Sequence, residues 1–439
     1  MVLIYSGNLS PRLTYTVRLI FRDVLGTEVR ITDDVAEFGT SPLPKFSYGT
    51  APLGDEPFLE GGTLLFTCSL DIPELETISY RDEICFFPSS NRSILPFDPF
   101  ASVFLAVSRM EEYSPGARDQ HGRFGACSSY LYLHNLLEKP VVNIWSGLLS
   151  HRLSELFPDF ALPLPEFRLV QTIDIDNAYA YLHKGFFRTV AAGLRDLLRG
   201  NLVGFKQRIA VLAGSETDPY DTYDYLANTL APIKGRVHFF FLLGDYRRFD
   251  KGLSHNHPEM KRLIKRIARL FPVGIHPSYY SSEKSGQTML LTEISRLQTM
   301  LQNRVIASRQ HYLRLTLPDT YRNLIAAGIR EDYSMGYVDA VGFRAGVAAP
   351  FNFYDLHEEQ ETNLRIFPFA FMDVTLMQYA KLTAQEAAIK VETLMNQVQA
   401  TGGYFCAVWH NESLSGTGKW RGYRELFEWL NRVNPTSVL

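Results

Sequence analysis

The sequence has few cysteines and none in a paired pattern. Its 439 residues contain four cysteines, scattered at Cys68, Cys85, Cys127 and Cys406, with no CxxC spacing. A zinc knuckle or a disulfide framework needs closely or regularly spaced cysteines, so the pattern argues against both. The four cysteines are expected to be small hydrophobic residues of a core.

Long apolar runs and a strong charge of one sign are also missing. No apolar stretch approaches the ~18 to 20 residues that a membrane helix needs. The formal net charge of -3 gives no electrostatic reason to expect nucleic acid or an anionic membrane. The N-terminus lacks a basic segment before its short apolar run, which predicts a first strand rather than a signal peptide. We therefore expect a cytoplasmic protein with no nucleic-acid partner and no membrane insertion.

The composition is that of a folded protein, with 46% hydrophobic and 13% aromatic residues. Because single cores rarely grow to this length, two domains are expected. Residues 157–166 carry three prolines and no regular period, and they mark the predicted boundary. We expect a mixed α/β N-terminal domain of unknown role over residues 1–160 and a second domain over residues 161–439.

Strand and helix signals alternate after this boundary. Strands are predicted at residues 169–174, 237–243, 273–276, 304–308 and 404–410, and helices at residues 223–230, 258–270, 288–302, 319–327 and 382–400. This alternation is typical of a parallel barrel or a doubly wound sheet, whose sites lie at the carboxyl ends of the strands. In the first unit, residues 13–21 fit either a helix or a strand, residues 29–32, 63–68 and 84–87 fit short strands, and residues 100–110 fit a helix.

Two carboxylates end the first strand of the second unit. Asp174 and Asp176 are two residues apart, so their side chains point the same way while the isoleucines between them point into the packing. One carboxylate could hold a divalent cation while the other takes a proton from water, as metal-assisted hydrolysis requires. A polar strand end with a helix cap is the alternative interpretation.

Polar residues also stand at the ends of the later strands. They are His276, the run Ser308-Arg309-Gln310-His311-Tyr312, the pair Glu331-Asp332, and the run Trp409-His410-Asn411. Packing alone would not be expected to place carboxylates, three histidines and an arginine at successive strand ends. The set predicts a catalytic metal site.

This ordered series resembles the polysaccharide deacetylase family, the carbohydrate esterases with the chitooligosaccharide deacetylase homology domain. The resemblance covers about residues 165–435 and rests on the order of the motifs more than on their identity. It implies an α/β fold with a distorted (β/α) barrel that resembles a TIM barrel. It also implies that acetyl groups are removed from the amino sugars of a carbohydrate with a divalent metal, usually zinc.

The family's first motifs match this chain with two exchanges. Its Asp-x-Asp variant matches Asp174, the implied general base, and Asp176, an implied metal ligand. Its second motif, His-Ser/Thr-x-x-His, begins at His276 but has Tyr280 in place of the second histidine. In its third motif, Arg-x-Pro-Tyr, His311 replaces the proline.

We expect one exchange to offset the other, because His311 comes from the next strand. We therefore expect Asp176, His276 and His311 to hold the metal. Two nitrogens and one oxygen plus water make an ordinary open zinc site. In the alternative interpretation, His311 only lines the pocket.

The remaining catalytic roles follow from the resemblance. Arg309 would orient Asp174 and stabilise its carboxylate, and Asp332 would hold Arg309 in turn. The backbone N–H of Tyr312 would contribute to an oxyanion hole. His410 would protonate the leaving amine as general acid.

Three residues are predicted to contact the substrate: Arg344, Tyr280 and Trp409. Arg344 would meet a carboxylate or phosphate, although a structural ion pair fits it equally well. The first unit more faintly resembles the N-terminal region of some Bacteroidetes proteins with such a deacetylase domain, through residues 97–100, 108–113 and 119–124. That likeness adds no chemistry.

Two other functions stay open. The barrel could have lost catalysis and act as a carbohydrate-binding module, or it could hydrolyse O-acetyl esters or another amide. A serine hydrolase is not expected, because no GxSxG elbow occurs.

Overall fold

The computed structural model describes residues 1–72, 74–114, 116–160, 165–283 and 286–433. Its strands are β1 (Val2–Tyr5), β2 (Val29–Thr32), β3 (Lys45–Gly49), β4 (Phe58–Glu60), β5 (Thr77–Tyr80), β6 (Glu83–Phe86), β7 (Phe167–Ile175), β8 (Val237–Leu242), β9 (Val273–His276), β10 (Ala307–Ser308), β11 (Glu331–Asp332), β12 (Phe351–Asp355), β13 (Gln360–Ile366), β14 (Phe371–Met372) and β15 (Gly403–His410). Its helices are α1 (Pro11–Arg18), α2 (Val35–Thr40), α3 (Pro99–Ser108), α4 (Tyr130–Leu133), α5 (Val141–Leu156), α6 (Phe186–Leu198), α7 (Leu202–Leu212), α8 (Tyr223–Leu230), α9 (Pro258–Ala268), α10 (Gln287–Leu301), α11 (Asp319–Ala326), α12 (Ala384–Thr401) and α13 (Tyr423–Arg432).

The N-terminal region contains a parallel sheet of four strands in the order β2-β1-β3-β4. The segment that fitted either a helix or a strand is helical, because Ser10 accepts a hydrogen bond from the Leu13 N–H and caps α1. Asp98 caps the buried helix α3 in the same way. The strand predicted at residues 63–68 is wrong, since Leu64–Phe66 forms a single 3₁₀ turn.

The second sheet has nine strands in the order β12-β13-β11-β10-β9-β8-β7-β15-β14. All neighbours are parallel except the hairpin of β12 and β13. The mixed α/β class is confirmed, but no pairing of described strands joins β12 to β14, so the expected barrel is not closed. The β12–β13 hairpin instead meets α1, where the Tyr15 hydroxyl donates to the Asn352 carbonyl at 2.8 Å.

Strand register brings the polar strand ends of the second sheet together. Asp174 pairs with His410 on β15 and with Phe240 on β8, and Leu242 on β8 pairs with His276. Alternation along β7 buries Ile173 and Ile175 completely in the core. The carboxyl ends of these strands therefore share one edge of the sheet.

The first region and the large sheet also share a buried hydrophobic cluster that runs from Val2 to Leu430. The rings of Tyr15 and Tyr354 lie 4.9 Å apart across it. Residues 161–164 of the predicted domain boundary lie outside the described residues. The division into domains at residue 160 stays a prediction.

Candidate active site

Asp176, His276 and His311 meet at the carboxyl edge of the large sheet. One potential ligand atom from each lies within 4.8 Å of the others. The Nε2 atom of His276 is 3.1 Å from Oδ1 of Asp176, and Nε2 of His311 is 3.3 Å from Oδ2. The structure therefore brings together the three residues that the sequence predicted as metal ligands.

Each histidine of this group is oriented through its other ring nitrogen. The carbonyl oxygen of Arg309 can only accept, so Nδ1 of His276 donates to it and Nε2 turns toward Asp176. The carboxylate of Asp250 lies 2.9 Å from Nδ1 of His311. Partners of this kind fix the tautomer and the ring orientation of histidines that hold a metal.

Opposite charges shift the pKa values of this buried group. Burial alone would lower the pKa of His311, but the carboxylates of Asp176 and Asp250 outweigh it and raise that pKa to about 9. Burial would raise the pKa of Asp176, yet the two histidines hold it well below its usual range. The imidazolium form of His311 and the carboxylate of Asp176 therefore stabilise each other.

Asp174 lies beside the group and is 2% exposed. Its Oδ1 atom is 3.3 Å from Nε of Arg309, and its Oδ2 atom is 3.9 Å from Nε2 of His276. Arg309 also donates to the Thr172 hydroxyl at 2.6 Å, which holds the guanidinium under the β7 strand end. Asp174 is thus placed to act on a group near Asp176 without being one of its closest partners.

His410 faces the group from β15. Its Nε2 atom is 3.8 Å from Oδ2 of Asp176, and its Nδ1 atom is 2.8 Å from Oδ1 of Asp373. The backbone N–H of His410 donates to the second oxygen of Asp373 at 2.7 Å. Although burial lowers the pKa of His410, the Asp373 carboxylate more than compensates and raises it well above its ordinary value.

Tyr312 closes another side of the site in an unusual backbone conformation. Its φ is 60°, in the left-handed region, and its carbonyl oxygen accepts a hydrogen bond from Nη1 of Arg123 at 2.9 Å. Arg123 belongs to the N-terminal region and is also paired with Asp119 at 2.7 Å. The first region therefore helps to set the direction of the Tyr312 peptide.

These side chains line a cavity of about 300 Å³. Its polar wall includes Asp174, Asp176, His276, His311 and His410, and its apolar wall includes Phe249, Leu313, Val338, Met372 and Val374. A small apolar cavity with converging charged groups is the usual form of a site for a small ligand or a single substituent.

Asp332 is held mainly by hydrogen bonds from two serines. Its carboxylate accepts from the hydroxyls of Ser308 at 2.8 Å and Ser334 at 2.9 Å, and from the Ser334 N–H. Among the described residues, no ion pair joins it to Arg309, whose ion pair is with Asp174. Burial raises the pKa of Asp332 and the nearby charge of Arg309 opposes this rise, so the role of Asp332 in holding Arg309 stays a prediction.

Two of the three predicted substrate contacts are corrected. Arg344 is buried, forms an ion pair with Glu112 and donates a hydrogen bond to the Gly336 carbonyl, so the structural ion pair is the right interpretation. Trp409 is fully buried and donates from Nε1 to Gln171 at 2.9 Å, because alternation turns it to the side of β15 opposite His410.

Tyr280, the third predicted contact, is half-buried outside the cavity. Its ring is 6.3 Å from that of Phe249, which lines the cavity. Tyr280 therefore lies next to the site, in contact with Phe249, rather than in the cavity itself.

The sequence pattern missed two carboxylates of the site, Asp250 and Asp373. Asp250 lies in the loop after β8, with no motif around it, and folding alone brings it to His311 and to the Tyr279 N–H. Asp373 directly follows the short strand β14. Its position at a strand end was the signal that would have predicted it.

Comparison with known proteins gives one family model and several distant structures. A model of a family of unknown function (DUF7033) matches residues 2–158. No curated protein matches the chain. The family description supplies no role for the N-terminal region.

The similar solved structures include a predicted polysaccharide deacetylase from Mycobacterium smegmatis, with 13% identity over 63% of this chain and 88% of the other and a TM-score of 0.41. The PuuE allantoinase has 11% identity over 61% and 85%, with a TM-score of 0.37. A polysaccharide deacetylase from Bacillus cereus has 11% identity over 59% and 87%, with a TM-score of 0.28. At these identities and TM-scores, the likeness assigns no chemistry to the site of this chain.

None of the described helices is both long enough and apolar enough to span a membrane.

Proposed function

We propose that the protein is a metal-dependent hydrolase that removes N-acetyl groups from an amino sugar or polysaccharide. The observation that carries the proposal is the convergence of Asp176, His276 and His311 within 4.8 Å beside a separate carboxylate, Asp174, and a separate histidine, His410. Hydrolysis of an unactivated amide needs an electrophile, a base and an acid, and this arrangement offers residues for all three.

The three proposed ligands fit a divalent cation, with zinc the best match. Two imidazole nitrogens and one carboxylate oxygen are an ordinary set for catalytic zinc. The buried Oδ1 atom of Asp176 lies 3.1 Å from Nε2 of His276 but accepts no hydrogen bond from the described residues, which leaves it available to a cation. A cation held there would polarise the acetyl carbonyl and lower the pKa of a water molecule.

Asp174 is the proposed general base. It lies near His276, and the ion pair of its Oδ1 atom with Nε of Arg309 at 3.3 Å keeps the carboxylate fixed. In this role Asp174 takes a proton from the attacking water. Arg309 orients the carboxylate of Asp174 through their ion pair.

Tyr312 and His410 are assigned to the charges that develop on the carbonyl oxygen and on the leaving nitrogen. We assign to the Tyr312 backbone N–H part of the stabilisation of the developing oxyanion. Asp373 keeps His410 protonated and fixes its ring, so that the imidazolium can give its proton to the leaving amine. The amine then leaves as a neutral group.

Acetate release from a panel of N-acetylated amino sugars, with zinc present, tests this function. Wild-type protein is expected to release acetate, and His410→Ala to lose about 10²-fold or more of its turnover while keeping its zinc affinity. His151→Ala, on the exposed face of α5, is the matched control and should act as wild type. Zinc and sugar binding without any acetate release would instead support a carbohydrate-binding module.

A further inference from the structure

Helices α6 and α7 form a hairpin between β7 and β8 that exposes an unusual amount of apolar surface. In the described part of the chain, 24 large hydrophobic side chains are exposed, and ten of them lie between residues 186 and 212. The most exposed are Phe187 at 86%, Val203 at 81%, Leu198 at 79% and Phe186 at 77%. Scattered single residues of this kind are normal, but a cluster marks an interaction surface.

The apolar side chains of the hairpin form one open groove. Phe186, Val190 and Leu194 recur every four residues along α6, and Phe205 and Ile209 do so along α7. Together they line a cavity of about 710 Å³ that is open to solvent. Neither helix covers the apolar face of the other, so the groove is not an internal core.

The charge of this segment differs from that of the whole chain. Residues 184–212 contain six basic residues and one acidic residue, whereas the chain as a whole carries a net charge of -3. Asp196 is already paired with Arg208 at 2.8 Å. Four exposed cations therefore have no ion pair among the described residues: Arg188, Arg195, Arg199 and Lys206.

Helical spacing separates these cations from the apolar stripe. At 3.6 residues per turn, Arg188, Arg195 and Arg199 lie on the side of α6 roughly opposite Phe186, Val190 and Leu194. A helix with an apolar face and a cationic polar face is suited to lie in the interface of a bilayer. The unpaired cations add attraction to anionic headgroups, which a neutral surface does not supply.

We propose that the α6–α7 hairpin docks this protein on an anionic lipid surface. The apolar groove enters the boundary between headgroups and acyl chains together with the exposed side chains of Phe187, Leu198 and Val203. The arginines without an ion pair and Lys206 meet lipid phosphates. The docking is interfacial and needs no membrane-spanning helix.

The hairpin also adjoins the candidate active site. Lys184, which lines the groove, donates a hydrogen bond to the Asn177 side chain, and Asn177 lines the active-site cavity. Docking would bring the mouth of that cavity close to the lipid surface. A sugar carried on a lipid is then the matching substrate class, and this last step rests on the proposed function while the docking does not.

Sedimentation of the full-length protein with lipid vesicles tests the docking. We expect binding to phosphatidylcholine vesicles that contain roughly 30% phosphatidylglycerol to be at least about tenfold tighter than binding to phosphatidylcholine alone, and to weaken with added salt. The triple variant Phe187→Ser, Leu198→Ser and Val203→Ser should lose at least about tenfold of this binding. Ile389→Ser, at an apolar position on α12 that is 65% exposed, should bind as wild type.

A second variant separates charge from apolar burial. Arg195→Gln with Arg199→Gln should remove most of the preference for anionic vesicles and leave zinc affinity unchanged, which also shows that the protein is folded. The proposal is overturned if wild-type protein binds neither vesicle, or if both hairpin variants bind as wild type. A dimer in sedimentation equilibrium that the triple variant abolishes, without vesicle binding, would assign the face to a second copy.

Discussion

The strand-end site and the α6–α7 hairpin, which follows its first strand in the chain, are built in opposite ways. At the site, the ionisable side chains are buried or half-buried, and each lies near an opposite charge or a hydrogen-bond partner. In the hairpin, ten large apolar side chains are exposed, and four of the five cations between Phe186 and Leu212 have no ion pair among the described residues. The groups of the site therefore interact within the fold, whereas most groups of the hairpin surface are left for a partner outside it.

Mutations in the two regions are therefore expected to have different effects. In the site, a change removes one member of a network whose other members are then buried without a partner. In the hairpin, a change removes surface that the fold does not use. A site residue that tolerates substitution, or a hairpin residue on which stability depends, would contradict this difference between the two regions.

Asp174→Asn should have the largest effect on function. The amide cannot take a proton from water, so turnover in acetate release should fall by about 10² to 10⁴-fold. Zinc affinity should change little, because Asp174 is farther from His276 than Asp176 is. Asp33→Asn, on an exposed loop, is the matched control. A variant with nearly normal turnover would remove Asp174 from the proposed role.

The effect of a mutation on the free energy of unfolding should differ between the core below the site and the α6–α7 hairpin. Ile173→Ala removes a fully buried side chain of β7 and should cost about 2 to 5 kcal/mol in the free energy of unfolding. Phe187→Ser should change it by only about 0.5 kcal/mol, because the side chain is already in water. Urea unfolding measures both. A large loss for Phe187→Ser would show that the hairpin belongs to the core.

The two carboxylates that the sequence missed should have distinct effects. Asp250→Asn should lower zinc affinity by about 10 to 100-fold, since Asp250 orients His311. Asp373→Asn should leave zinc affinity unchanged and reduce kcat, with a shift of the pH profile, because Asp373 holds the proton of His410. Zinc titration and pH-dependent kinetics check the pair. Equal effects on zinc would show that the site is not divided in this way.

The smallest effect concerns pH and a histidine at the opposite end of the sheet. Burial, together with Arg309, lowers the pKa of His238 from 6.5 to about 4. The unfolded chain then binds more protons between these values, so stability is full above about pH 6.5 and is lost as the pH falls toward 4.

His238→Phe should remove this loss, which amounts to roughly 1 to 3 kcal/mol. Thermal melts at several pH values measure the slope of stability against pH. His151→Phe, at an exposed position on α5, is the control and should keep the slope of wild type. An unchanged slope in His238→Phe would mean that another group titrates.

Local signals predicted much of the fold. Helix α8 and strand β9 have the predicted bounds, because an amphipathic run and a short apolar run between turns are properties of neighbouring residues. The open sheet was not predictable in this way, since closure depends on where the two edge strands pack. Helices α6 and α7 were not predicted, because an apolar pattern is ordinarily interpreted as the face of an element that packs on a core, and the apolar face of this hairpin is exposed.

The part of the site that follows from the order of the strands along the sequence was predictable. Asp176, His276 and His311 end strands that lie near one another in the sheet, so their convergence follows from parallel register. Arg344 was harder, because its partner Glu112 lies 232 residues away and only folding brings the two together. The net charge of -3 likewise gave no indication of the basic hairpin, since it is a sum over all 439 residues.

The zinc content of the purified protein and of His311→Ala tests the central claim most directly. After zinc titration and removal of free ions, elemental analysis should find one zinc per chain in the wild type and much less in His311→Ala, with His151→Ala as the control. Equal zinc in wild type and His311→Ala would contradict the proposed ligand set. Absence of zinc from the wild type would contradict the metal-dependent hydrolase itself.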